Sequence, residues 1–278
     1  MLLAGCVQEQ ESDEANAVYY WRTSLQLNDA ERSFLRTHHI NKVYCRYFDV
    51  VMRDGEPMPN ATLTFSDTLP SATELVPTIY LTEDCMHDRH EGLAEKLVRR
   101  INQMNETNDI HGVKEIQIDC DYTARSRRAY YDFLNEVKAQ WTATHGRQAL
   151  LSTTIRLHQL QMAPPPADYG VLMLYNTGDP QRFEERNPIL DLRDVTPYLR
   201  HLGSYALPLA AAYPVYRWVR HIAGTQIEHV VAIDEILRVK QAAERKRPEL
   251  SHTILTFHLD QENIERYTPE DYEAIYHH

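Results

Sequence analysis

Asp119 and Asp121 stand at the end of the stretch Glu115-Ile-Gln-Ile-Asp-Cys-Asp-Tyr122. Two carboxylates side by side can do acid/base work, because each opposes ionisation of the other and one can keep a proton. They can also accept hydrogen bonds from a bound sugar. With His158 and His258 they have the ligand types for a divalent metal. That spacing is generic, so neither a metal nor a cofactor is expected. Within the stretch the odd positions are polar and the even positions mostly apolar, which describes a strand with one polar face. Helical patterns flank it on both sides, as around a parallel strand, which usually reads as an unbroken apolar run. A polar stripe in that setting points to a barrel lumen or cleft. The carboxylates then fall at the C-terminal end, where α/β barrels place their chemistry.

The next strand repeats the pattern. Ser152, Thr154, Arg156 and His158 share one face, opposite Leu151, Ile155 and Leu157. In a barrel the two strands are neighbours, which brings Arg156 and His158 towards the two aspartates. This is either a site or a salt-bridge network filling the lumen. Arg156 would also hold the aspartates ionised, against a role for either as an acid. An opposing carboxylate, Asp49 or Asp260, is then the better partner. Other strand ends supply Trp21, Arg22, Tyr80, Tyr175, Asn176, Trp218, His258 and Asp260. Together with Arg156 and His158 these are the expected substrate-binding residues, and Asp119, Asp121 and Asp49 the candidate catalytic ones. Aromatic rings beside carboxylates, amides and arginine form the surface expected to bind a glycan.

These residues need elements to hold them. Strands are expected over residues 18–22, 42–51, 76–82, 115–122, 149–157, 169–175, 213–220 and 254–259. A β-hairpin excursion is expected between residues 52 and 67, and a second pairing of 213–220 with 226–232. Helices are expected after Asn28, with Glu31 completing a capping box, and around Leu93, Leu97, Val98, Ile101 and Met104. Another carries Tyr130, Phe133, Leu134, Val137 and Trp141, with Gly146 ending it. Further helices cover residues 195–201 and 234–247. A last one starts at Thr268 with Pro269 in its first turn. Strand then helix, repeated about eight times, reads as a single (β/α)8 TIM-like barrel with a hairpin excursion and a C-terminal helix. No glycine-rich phosphate loop follows any strand, against a dinucleotide-binding sheet.

A chain of 278 residues with 25% charged side chains suits one large α/β domain. The net charge of −11 and the lack of a long basic run argue against nucleic acid as a partner. Cys45 and Cys120 fall on expected buried strands, where a thiol acts as a small apolar group. Leu3-Ala-Gly-Cys6 resembles a bacterial lipobox, in which the cysteine carries lipid. The basic and apolar parts of a leader are missing before it, so the match is a trimmed remnant or chance. The polar run from Gln8 to Asn16 favours the first. The expectation is a signal remnant and tether over residues 1–16, a barrel over 17–278, and a lipid anchor on Cys6 in the cell envelope, periplasmic or on the outer-membrane surface.

Gln117-Ile-Asp-Cys-Asp-Tyr-Thr123 is similar to the fourth-strand motif of chitinase-like glycoside hydrolases. There, alternate aspartates precede a catalytic glutamate by two residues. Asp119 and Asp121 match the aspartates, and Thr123 stands where the acid would be. A broader resemblance, through Tyr20-Trp-Arg22, Arg46-Tyr-Phe-Asp49, Gln117 to Asp121, Ile155 to Gln159, Leu172 to Gly178 and His258-Leu-Asp260, is to bacterial lipoproteins of the Bacteroidetes type with a glycoside-hydrolase-like barrel. It implies that fold and an exported location and leaves the activity open. The competing readings are a carbohydrate-active hydrolase and a non-catalytic glycan-binding or surface-assembly protein on the same barrel.

Overall fold

The computed structural model describes residues 15–179, 186–222 and 225–277. Eight strands form the barrel: β1 (Ala15–Tyr20), β2 (Ile40–Arg53), β3 (Glu74–Leu81), β4 (Glu115–Cys120), β5 (Leu150–Ile155), β6 (Tyr169–Met173), β7 (Leu209–Pro214) and β8 (Thr253–Phe257). Each is parallel to the next, and β1 pairs with both β2 and β8, which closes the ring. Closure leaves no barrel strand edge to protect.

Helices α1 (Asp29–Thr37), α2 (Leu93–Thr107), α3 (Arg127–His145), α4 (Leu192–Leu202), α5 (Ile233–Glu244), α6 (Gln261–Ile264) and α7 (Pro269–Tyr276) surround it. α3 buries Tyr130, Phe133, Leu134, Val137 and Trp141, the stripe its sequence carries. The Asn28–Glu31 capping box and the Thr268–Pro269 start both form. The alternation of strand and helix is incomplete. After β2 the chain turns back as the antiparallel strand Glu56–Asn60, paired from Asp49 to Arg53. After β5 there is a short 3-10 turn, Leu157–Gln161.

One expected strand is displaced. The seventh barrel strand is Leu209–Pro214, not residues 213–220. Residues Arg217–Ile222 and Thr225–Val230 form an antiparallel hairpin outside the barrel. Leu-Ala-Ala-Ala-Tyr-Pro carries no alternation, because both its faces are buried, and alanine is a weak strand former. The hairpin has the charged, β-branched and aromatic character of a strand with one wet face.

The lumen of the barrel is polar and packed. At the N-terminal end of β4, Glu115 is fully buried. It accepts from Lys42 Nζ (2.9 Å), from Ser152 Oγ (2.5 Å) and from the Tyr169 hydroxyl. One layer up, the Tyr19 hydroxyl donates to Gln117 Oε1 at 2.9 Å. Ile116, Ile118 and Cys120 face the other way, into the apolar layer under the helices. Cys45, Cys85 and Cys120 are free, buried thiols. Among the described residues no helix is long and apolar enough to cross a membrane.

Candidate functional site

A cleft of about 660 Å³ opens at the C-terminal ends of the strands, within the range of small-molecule sites. Its polar wall comes from β4 and β5. Asp119 Oδ1 accepts from Thr154 Oγ1 at 2.6 Å and from Arg156 Nη2 at 3.2 Å. Arg156 Nε donates to Asp121 Oδ1. Arg156 Nη1 is buried without a hydrogen-bond partner among the described residues. Burial pushes the Asp119 carboxyl above the usual carboxylate range. Arg156 and the Thr154 hydrogen bond pull it down, while Asp121 and Asp49 push it up. Burial opposes the charge on Arg156, but Asp119 and Asp121 outweigh that and raise its pKa. The aspartates are thus joined through one guanidinium, the arrangement their alternation with Arg156 suggested.

Asp49, Tyr80 and Asp119 lie in one row across β2, β3 and β4. Tyr80 lines the cleft. Burial, with Asp121 and Asp119 nearby, pushes its hydroxyl up to about 12. Asp49 is only 5% exposed and does not line the cleft. Arg46 covers it through a two-point contact, with Nε to Oδ1 at 2.7 Å and Nη2 to Oδ2. Arg46 is the residue that reaches the cleft, over the Trp21 ring at 5.5 Å. As the opposing carboxylate Asp49 is therefore corrected: it is a buried counter-ion. The register slips between Arg46 and Phe48, so two residues of β2 face one of β3. This bulge brings Arg46 and Asp49, three apart, onto the same side.

The floor is aromatic. Phe257 lies at its centre, 5.1 Å from Tyr175, 5.5 Å from Trp21 and 5.5 Å from Tyr216 between ring centroids. The Tyr216 hydroxyl donates to Asn176 Oδ1 at 2.5 Å. Asn176 has φ of 53°, a left-handed conformation that asparagine tolerates better than most residues. Trp218 enters from the hairpin, not from the seventh strand. Arg217 ties the hairpin base down, to Glu228 at 3.1 Å and to Glu262 at 2.9 Å.

His258 and Asp260 close the cleft at β8, with His258 Nε2 3.4 Å from Asp260 Oδ2. Burial pushes the His258 pKa down, and Asp260 partly restores it. Asp260 also caps α6, accepting from the Asn263 backbone N–H at 3.0 Å and its side-chain amide at 2.8 Å. That fixes the direction of its side chain at the edge of the cleft.

Two expected binding residues lie elsewhere. Arg22 turns to the buried Glu31 at the start of α1 (2.9 Å) and holds that loop. His158 is exposed on the 3-10 turn, with Nε2 3.4 Å from the Tyr122 carbonyl. β5 ends at Ile155, so the strand alternation does not extend to His158. Thr123 also stays out of the cleft. Its hydroxyl donates to Glu83 Oε1 at 2.7 Å, beside Ser126 Oγ on the same oxygen at 2.8 Å. Cys6 falls outside the described residues.

Arg46, Arg217, Phe257, Glu262 and Asn263 line the cleft without having been singled out from the sequence. Phe257 carries a signal in the alternation of β8, where Thr253, Leu255 and Phe257 share one face. The others sit at a bulge or beyond a strand end, where alternation carries no information.

No protein-family model and no curated protein matches the sequence. Solved structures match across the barrel. The spore cortex-lytic enzyme SleL of Bacillus megaterium aligns with a TM-score of 0.61 at 12% identity, over 94% of this chain and 73% of that one. A chitinase-like agglutinin from Robinia pseudoacacia gives 0.59 at 12%, over 94% and 99%. A class V chitinase from Nicotiana tobaccum gives 0.59 at 11%, over 93% and 99%. At such identities the likeness is one of fold: a closed, parallel α/β barrel.

Proposed function

We propose that the cleft binds a sugar chain and that this protein is a glycan-binding barrel without the acid of a chitinase. One observation carries the reading. Asp119 and Asp121 are joined by Arg156 over an aromatic floor, while Thr123, in the acid's place, turns away onto Glu83. Rings of Trp21, Tyr216, Phe257 and Trp218 offer stacking surfaces, and the polar wall offers hydroxyl partners. Among the barrels of similar fold, a class V chitinase was solved with NAG4 and another protein is an agglutinin, which supports a glycan ligand for this shape of cleft. A hydrolase is the second reading, favoured by Asp119, whose carboxyl burial pushes above the usual carboxylate range. A glycan library read by thermal shift and by released reducing sugar separates them. Binding raises stability by mass action. A shift without release is expected; release that disappears in Asp121→Asn would establish the hydrolase instead.

Attachment to the cell envelope through lipid on Cys6 is part of the proposal. It is supported by Leu3-Ala-Gly-Cys6 and the polar run after it. Expressed from its own genomic locus, the protein should fractionate with membranes and Cys6→Ala should not. Equal fractionation of the two would remove the anchor.

A further inference from the structure

The charges of the cleft do not balance. Among the described residues four carboxylates line it, Asp119, Asp121, Asp260 and Glu262, against three guanidinium groups, Arg46, Arg156 and Arg217. Arg46 is committed to Asp49 behind the wall. Arg217 is committed to Glu262 and Glu228 on the rim. Asp260 has the Asn263 amide groups and the His258 ring for neighbours. Burial lowers the pKa of that ring, so it supplies no full positive charge at neutral pH. One guanidinium, Arg156, is left to serve Asp119, Asp121 and Asp260, and it contacts only the first two.

Asp119 is buried, faces Arg156 and accepts from Thr154, so it offers little to an incoming charge. Asp121 differs. Its side chain is 48% exposed at the end of β4, and its contact with Arg156 falls on Oδ1. It therefore presents negative charge to an aromatic-walled cleft, where Trp21, Trp218 and Tyr216 can also face a cation. A uronate would add to the surplus. A neutral N-acetyl sugar would leave it unmet.

We infer that the cleft takes a sugar chain bearing a protonated amine, an amino sugar lacking its acetyl group, with the ammonium at Asp121. This rests on the glycan reading above and narrows it to a substrate class. Hydroxyls of the same chain would use the Arg156 and Asn176 side of the cleft, and the ring faces would use the floor.

Calorimetric titration of the purified protein with three oligosaccharides of equal length tests it: a β-1,4-glucosamine oligomer, its fully N-acetylated counterpart and a galacturonate oligomer. The glucosamine oligomer is expected to bind about fivefold more tightly than the acetylated one, the upper end for a half-exposed ion pair. The preference should shrink as salt is added. In Asp121→Asn the two affinities should converge. Glu262→Gln, at the exposed rim, should narrow the gap less. Equal affinity of the wild type for both chitin-type oligomers would overturn the inference and leave the glycan reading standing. Tighter binding of the galacturonate oligomer would overturn it in favour of arginine-led recognition. Binding of none of the three, with no hit in the wider library, would remove both readings. The wild-type comparison stands even if a variant fails to fold.

Discussion

The two ends of β4 use the same materials to different effect. At the N-terminal end Glu115 is fully buried and each oxygen is served, by Lys42 on one side and by Ser152 and Tyr169 on the other. The Tyr44 hydroxyl extends the network to Tyr169 at 2.6 Å. At the C-terminal end one arginine is divided between two aspartates, and its Nη1 has no partner among the described residues. A buried network whose members are all served rigidifies a core. One left incomplete beside an open cleft is where a ligand's polar groups have something to gain. The difference teaches why the carboxylates at 119 and 121, which line the cleft, are the candidates for a site, although the strand carries a third, at 115, that is better buried.

The contrast can be broken most forcefully from below. Glu115→Ala takes from Lys42 its nearer carboxylate, leaving Glu74 at 3.9 Å, and removes the acceptor for Ser152 and Tyr169. Breaking a buried pair of this kind costs about 3–5 kcal/mol, so the urea midpoint should fall sharply. Glycan affinity of the protein that remains folded should not change. A loss of affinity with little loss of stability would mean that the lower network belongs to the site.

Arg156→Ala should cost less stability and more function. It leaves Asp119 without its cation, but that carboxyl can take a proton and shed its charge. About 2 kcal/mol is expected, the scale for an unserved buried polar group. Glycan binding should be abolished, since the wall loses the guanidinium that bridges Asp119 and Asp121. Arg156→Lys should recover stability better than binding, because an ammonium cannot reach both carboxylates with a planar fork. Equal recovery of both would show that the positive charge alone matters.

How much of this was legible follows from parity. β4 and β5 run straight through their layers, so the odd positions of one and the even positions of the other could be assigned to the lumen from sequence. Asp119, Asp121 and Arg156 were found that way. At β2 the bulge before Phe48 reverses the parity, which hides Arg46 and misplaces Asp49 as a free carboxylate. β7 has two buried faces and no parity to read. Arg217 and Glu262 meet through a hairpin and a turn far apart in the chain, a tertiary pairing that local pattern does not encode. The barrel was legible because its period repeats; the rim was not, because its residues follow loops.

The smallest expected effect is the most specific to the upper end. The Asp119 carboxyl titrates above its unfolded value of about 3.9. Between that value and its raised folded value, the native state holds a proton that the unfolded chain has released. Stability contributed by this group is therefore fully present below about pH 3.9 and is lost as pH rises through the folded pKa. Asp119→Asn keeps an oxygen to accept from Thr154 and Arg156, but it cannot titrate. Wild-type stability minus variant stability should thus decline with rising pH across that window and then level off. The subtraction matters because Asp67, Glu83 and Asp191, whose hydrogen bonds hold their pKa values down, bias both proteins the opposite way and cancel. A flat difference would mean that Arg156 compensates Asp119 as completely as Lys42, Ser152 and Tyr169 satisfy Glu115, and the two ends of β4 would then differ only in their access to solvent.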